Sequence, residues 1–160
     1  MNLRVGIGTD RHALKKPGRM VLGGVVVSEE VGLEGHSDAD VVCHALIDAL
    51  LGAAALGDIG EYFDQNERWR NASSLAMLKQ MRDLLVERGW SIANVDVTVT
   101  CGVVKLSPFR ERMVETLAIT LGIEKENVNV KFKTANGLGF EANEGASAIA
   151  VCLISRSPSG

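Results

Sequence analysis

The sequence predicts an α/β chain of the α+β sandwich kind, with one mixed β-sheet and helices packed on one face. Three observations carry this. Ile92 to Cys101 alternates, Val95, Val97 and Val99 standing against Asp96, Thr98 and Thr100, as a half-buried strand does. A segment from about Ala39 to Leu56 is rich in Ala and Leu on nearly every side, which marks a helix buried deeply or packed against another subunit. Strand-like and helix-like runs follow in the order β-β-α-α-β-α-β-β, which one sheet layered with helices accommodates.

Taken in order, Leu3 to Thr9 is a strand containing two glycines, and the valine-rich run Val21 to Val27 is a second. Glu29 to Gly35 is turn-like. Ser37 and Asp38 are candidate N-caps for the long helix. Gly57 to Ala72 is a polar loop broken by Gly60. Ser73 or Ser74 caps a helix to about Arg88, whose stripe Leu75, Leu78, Met81, Leu84 and Leu85 has core spacing. After the strand to Cys101, Ser107-Pro108 opens a third helix that ends near Gly122, Pro108 suiting a first turn. Val128 to Lys133 alternates again, and Ala146 to Ile154 is a nearly continuous apolar run of strand length. One domain over 1–155 is expected, with 156–160 a disordered tail.

The chain has 160 residues, 46% of them hydrophobic but only 4% aromatic, so the core is mostly aliphatic. A net charge of −3 without a basic stripe argues against a nucleic-acid surface. No apolar run reaches the roughly 18 residues of a membrane span. Cys43, Cys101 and Cys152 are odd in number and widely spaced, so they read as buried apolar residues, and a cytoplasmic location is expected.

Chemistry gathers around three histidines. Asp10 and His12 stand two apart at the end of the first strand, and period-two geometry points both side chains to one face. His44 lies in the first turns of the long helix. One carboxylate and two imidazoles would leave a tetrahedral zinc with an open position, the pattern of a catalytic site. Spacing alone leaves open that strand and helix never bring them together. Gly35-His36-Ser37-Asp38 precedes a helix N-terminus, where an anion could dock or the residues could simply cap. Asp58, between Gly57 and Gly60, is either a contact for sugar hydroxyls or part of a plain helix stop. Lys105 follows a strand end and is either a phosphate contact or solvated. Thr134 to Phe140 is a glycine-broken turn suited to a substrate loop.

Together these segments resemble the 2-C-methyl-D-erythritol 2,4-cyclodiphosphate synthase family of non-mevalonate isoprenoid synthesis. Asp10-Arg11-His12 is similar to that family's D-x-H strand end. The most specific stretch is His36-Ser37-Asp38-Ala39-Asp40, His44-Ala45-Leu46, Asp48-Ala49-Leu50-Leu51-Gly52-Ala53-Ala54 and Leu56-Gly57-Asp58-Ile59-Gly60. Asn94 to Thr98, Val128 to Lys131 and Leu138-Gly139-Phe140 also fit, so the resemblance covers nearly the whole chain. It implies a phosphorus–oxygen lyase that cyclises 4-diphosphocytidyl-2-C-methyl-D-erythritol 2-phosphate and releases CMP. It implies one Zn2+ on Asp10, His12 and His44, a second cation (Mg2+ or Mn2+) on the diphosphate, and a homotrimer with sites between subunits. By position, His36 and Thr134 would stabilise the transition state. Asp58, Ile59 and Gly60 would hold the methylerythritol, Asp64 the ribose, and the Cys101 to Ser107 loop the cytosine, with Lys105 near the phosphates. Ser37, Lys133, Asn136 and Phe140 complete the substrate-binding set. Contact with the preceding cytidylyltransferase is a further expectation.

The chain also departs from the family pattern. The loop F-P-D-x-D is Phe63-Asp64-Gln65-Asn66, without its proline and one residue shorter. The cytosine loop Cys101-Gly102-Val103-Val104-Lys105 lacks its proline. Asn136 stands where a glutamate ligates the second metal, and a neutral amide oxygen is a much weaker ligand for Mg2+. The arginine of the G-R-G-E-G turn is absent near Ala142 and Asn143, and Ile149 replaces a glutamate. These losses motivate an alternative: a divergent member that keeps fold and zinc but binds a nucleotide or isoprenoid phosphate without this reaction.

Overall fold

The computed structural model describes residues 1–158. A five-stranded sheet in the order β4-β1-β7-β5-β6 forms one layer, and helices cover one of its faces. β1 (Asn2–Lys15) runs antiparallel to β7 (Gly145–Arg156) over a register from Asn2↔Arg156 to Ala13↔Gly145. β5 (Ser91–Thr100) pairs antiparallel with β7 and parallel with β6 (Val128–Lys133), so the sheet is mixed, as expected. β4 (Gly32–Leu33) closes the other edge, within the stretch expected to be only a turn.

β1 is twice as long as its apolar run suggests. β7 pairs with it to Ala13 and β4 beyond, so Asp10 and His12 lie inside the strand and not at its end. The single strand expected over Val21 to Val27 is a hairpin, β2 (Met20–Leu22) and β3 (Val25–Ser28). Gly23 and Gly24 both have positive φ and make its two-residue turn, which the valine count obscured.

α1 is Val41–Ala53, shorter at both ends than expected. Ala39 and Ala55 both adopt left-handed φ, which a continuing helix does not tolerate. The N-cap is therefore Asp40, not Ser37 or Asp38. Its buried carboxylate accepts from the Val42 and Cys43 N–H groups at 3.1 Å each, and from Gly23 and Gly24 at 2.9 and 2.8 Å. One side chain thus ties the hairpin turn to the start of α1. Burial pushes its pKa up despite those four donors.

α1 lies against β1 at a separation only glycine permits. A Cβ at Gly6 would come within 1.9 Å of the Ala49 carbonyl oxygen, and one at Gly8 within 1.9 Å of that of Ala45. α3 (Ser74–Glu87), capped by Ser73, packs on α1 through Met77, Leu78, Met81 and Leu85. α4 (Arg110–Leu121), entered through a 3-10 turn at Ser107–Phe109 and stopped by left-handed Gly122, crosses between β5 and β6. The loop expected over Gly57 to Ala72 contains α2 (Ile59–Tyr62) and a 3-10 turn at Glu67–Trp69. It is ordered by Phe63 packing edge-on against Trp69, ring centroids 4.7 Å apart.

Arg156 is the last residue of β7 and stacks on Trp90, so the expected tail does not begin there. Residues 159–160 of that tail lie outside the described ones. The three cysteines are buried and free. Among the described residues no helix is long and apolar enough to cross a membrane. On the face of the sheet away from the helices, Leu3, Val5, Ile7, Ile149 and Val151 stand open, Val5 and Ile7 being 67% and 65% exposed.

Candidate metal centre and cleft

Gly6, Gly8, Asp10 and His12 alternate onto the helix side of β1. The close approach at Gly8 and Ala45 seats the first turn of α1 directly over this row and brings His44 to it. Asp10 Oδ2 lies 2.9 Å from His44 Nδ1 and 3.0 Å from His12 Nε2. The potential ligand atoms of all three residues fall within 4.8 Å of one another. Strand and helix therefore do converge.

His12 Nε2 is buried and has no hydrogen-bond partner, since its contact with Asp10 is close but misaligned. A buried ring nitrogen left unpaired beside a carboxylate and a second imidazole is what a divalent cation would satisfy. Burial raises the Asp10 pKa, but the contacts with His12 and His44 and their charges outweigh it, bringing it from 3.8 to about 2. The Asp10 contact holds the His12 pKa above its ordinary 6.5 against the opposing effect of burial.

The other nitrogen of His44, Nε2, lies 2.8 Å from Ser74 Oγ and 3.1 Å from Ser37 Oγ. The anion site suggested at Gly35 to Asp38 is not built as expected. The helix amides are taken by Asp40, and Ser37 and Asp38 turn toward His44 and Ser74. His36 lines the cleft with its Nε2 against the Asn66 carbonyl oxygen.

The cleft has a volume of about 390 Å3. It gathers Asp10, His12, His36, Ser37, His44, Ile59, Gly60 and Asp64 from the sequence candidates. Phe63, Gln65, Trp69 and Met77 also line it and were missed. Two aromatics in an otherwise polar loop were the available signal for the first and third. Left-handed Ala55 ends α1, and Asp58 stands after left-handed Gly57 at the N-cap position of α2, where it makes no capping bond. The turn is pinned from below: Asp48 Oδ1 accepts from the Ile59 N–H at 2.8 Å. Burial raises the Asp48 pKa. Its place four residues after His44, on the same helix face, could have identified it.

Lys105, Lys133, Thr134, Asn136 and Phe140 do not line this cleft. Lys133, Thr134 and Asn136 lie where β5 and β6 end together: Thr100 pairs with Lys133, and Cys101 N–H donates to the Lys133 carbonyl oxygen at 2.9 Å, with Lys105 in the loop that follows β5. Lys133 follows the exposed phase of β6, with Asn129 and Lys131, on the face away from the helices. Thr134 Oγ1 accepts from the Asn136 N–H, and Asn136 is exposed with φ 53° and ψ 32°. Phe140 lies under Arg11 and lines a separate open hollow with His12, Ala13 and Glu144. Lys133 thus faces the side of the sheet opposite the cleft.

An α+β sandwich whose carboxylate–imidazole cluster, able to hold a metal ion, lines a cleft of about 390 Å3 defines the class of protein. The YgbB family model matches residues 3–155, and the chain belongs to that family. It is 52% identical over 151 residues to the 2-C-methyl-D-erythritol 2,4-cyclodiphosphate synthase of Thermotoga maritima, covering 94% of this chain and 90% of that protein. Among solved structures, a CDP-bound form of a synthase of the same name is 35% identical with a TM-score of 0.88, over 95% of this chain and all of that one. The bifunctional IspDF from Campylobacter jejuni is also 35% identical with a TM-score of 0.93. The chain matches 43% of that longer protein with 98% of its own length.

Proposed function

We propose that this chain is a cyclodiphosphate synthase, converting 4-diphosphocytidyl-2-C-methyl-D-erythritol 2-phosphate to 2-C-methyl-D-erythritol 2,4-cyclodiphosphate with release of CMP. The observation that carries the reading is the convergence of Asp10, His12 and His44 at the floor of the cleft bounded by the Ile59-Gly60 turn and Asp64. The synthase names borne by relatives of about this length support it over the divergent alternative.

Zn2+ held by these three residues would act as Lewis acid and template for a phosphate oxygen. The chain's own groups do the rest. The turn fixed by Asp48 presents Asp58, Ile59 and Gly60 to the methylerythritol hydroxyls, and Asp64 faces the ribose. The 2-phosphate oxygen attacks the β-phosphorus, the bond to the CMP oxygen breaks, and CMP leaves with that oxygen and its electron pair. His36 and Thr134 flank the developing charge by hydrogen bonding, and Ser37 lines the same wall. Lys105 and Lys133 offset the phosphate charge. A second cation, Mg2+ or Mn2+, would offset diphosphate charge, and Asn136 would hold it only weakly because an amide oxygen is neutral.

Lys133 faces away from the helices and Lys105, Thr134, Asn136 and Phe140 stand outside the cleft, which favours a site completed by a neighbouring subunit. A homotrimer, with the open face of one subunit against the cleft of the next, brings them together, and the apolar patch around Val5 and Ile7 supports such burial. A cytoplasmic setting is part of the proposal, supported by three unpaired cysteines. So is contact with the preceding cytidylyltransferase, which the match to part of a bifunctional protein supports.

The test is to supply purified protein with substrate, Zn2+ and Mg2+ or Mn2+ and to measure CMP. Release above a His44→Ala control is expected. Release no faster than that control would sink the reading.

A further inference from the structure

We propose that Ser74 and Asp38 are positioning residues for His44, forming a relay that holds its ring in the tautomer a metal centre needs. The proposal rests on the metal reading above and extends it to residues that are not metal ligands.

A neutral imidazole that gives one nitrogen to a cation must carry its proton on the other, and the partner of that proton sets the ring's plane and basicity. His44 turns Nδ1 to Asp10 and Nε2 to Ser74, at 2.9 and 2.8 Å. The direction of the second bond follows from the next link. Ser74 Oγ also contacts Asp38 Oδ1, and an ionised carboxylate can only accept, so the Ser74 hydroxyl donates to Asp38. Having spent its one proton there, the hydroxyl is left to accept from the His44 Nε2–H. Asp38 is itself held by the backbone N–H groups of Asp40 at 3.3 Å and Ser74 at 3.1 Å. Ser74 is fully buried, and the next group within reach of His44 Nε2 is Ser37 Oγ, longer at 3.1 Å. Without a metal, Nδ1 faces the Asp10 carboxylate at 2.9 Å; the chain of donors His44 to Ser74 to Asp38 keeps the ring proton on Nε2 when a cation takes the Nδ1 position.

This gives the His-Ser-Asp segment a function other than holding an anion. Asp38 is delivered by the turn before α1 and Ser74 by the first residue of α3, so the relay also locks two helices to the metal ligand.

The experiment is zinc affinity of the whole chain by competition with a chromophoric chelator. Ser74→Ala should weaken binding by about 10- to 100-fold, the usual cost of losing such an outer partner. Asp38→Asn keeps the shape but loses the charge, and it should fall between Ser74→Ala and the unsubstituted protein. The thermal midpoint of each variant in chelator separates this from simple unfolding. A third readout needs no variant: in the zinc-loaded unsubstituted protein, nitrogen NMR should show a slowly exchanging His44 Nε2–H. Affinity within twofold of the unsubstituted chain for Ser74→Ala, or a freely exchanging Nε2–H, would overturn the relay and leave the metal reading standing. Absence of zinc binding by the unsubstituted chain would remove both.

Discussion

Gly8 and the Ala45 carbonyl oxygen are in a contact that leaves no room for a side chain: a Cβ on Gly8 would lie 1.9 Å from that oxygen. Ala45 follows His44, so the glycine sets the height of a proposed metal ligand above the strand bearing the other two. Gly8→Ala should push α1 outward, costing about 1–3 kcal/mol or more by overpacking. Zinc affinity should fall along with stability. Denaturant midpoints and chelator competition on the same sample check it, and a variant as stable as the parent would contradict the packing.

The Asp10–His12 pair gives a pH dependence whose sign differs with and without metal. Asp10, lowered to about 2, contributes stability above 3.8 that is lost as pH falls toward its folded value. His12, raised above 6.5, contributes stability fully present below 6.5 that is lost as pH rises through its folded value. Through this pair, metal-free protein should therefore be steadiest between 3.8 and 6.5 and lose stability above 6.5. Zinc binding should do the opposite and strengthen with rising pH, because the metal displaces the His12 proton. Thermal scans with zinc and with chelator across pH 5 to 9, on the order of half-unit steps, compare the two.

Ile7 sits in the middle of the uncovered apolar face. Ile7→Asp should dissociate the proposed trimer and abolish CMP release while leaving zinc binding nearly unchanged, since its side chain points away from the centre. Sedimentation velocity alongside chelator competition reads both quantities. A trimer that survived the charge would show that this face is not the interface.

Asn136→Glu restores a charged ligand where the chain has an amide. Manganese binding, read by electron paramagnetic resonance with CDP present, should tighten by roughly tenfold, which is about 1.4 kcal/mol. Its φ of 53° tempers the gain, because Asn tolerates that left-handed backbone better than Glu. No tightening would place the second cation elsewhere.

The sequence made most of the sheet legible, because β5 and β6 carry their burial in their alternation and β7 is an apolar run of strand length. Asp10, His12 and His44 were also recognisable, though only the packing of glycine under α1 shows why they meet. Three things stayed hidden for physical reasons. The extension of β1 is enforced by pairing with β7 and β4, and a strand's own residues carry little of that information. The true cap, Asp40, looked no better than Ser37 or Asp38, because the left-handed turn at Ala39 that decides between them is a tertiary outcome. The cleft wall at Phe63 and Trp69 sits in a loop whose polarity masked two residues that pack on each other.

The absence of Thr134 from the cleft that holds His44 has a genetic consequence. If each site borrows its halves from different subunits, two inactive variants can repair one another. His44→Ala spoils the cleft, and Thr134→Ala spoils the loop contributed by the neighbour. Coassembled in equal amounts, they would regenerate about one quarter of the sites by random pairing around a closed ring. A strain carrying both damaged copies would then grow where neither copy alone suffices.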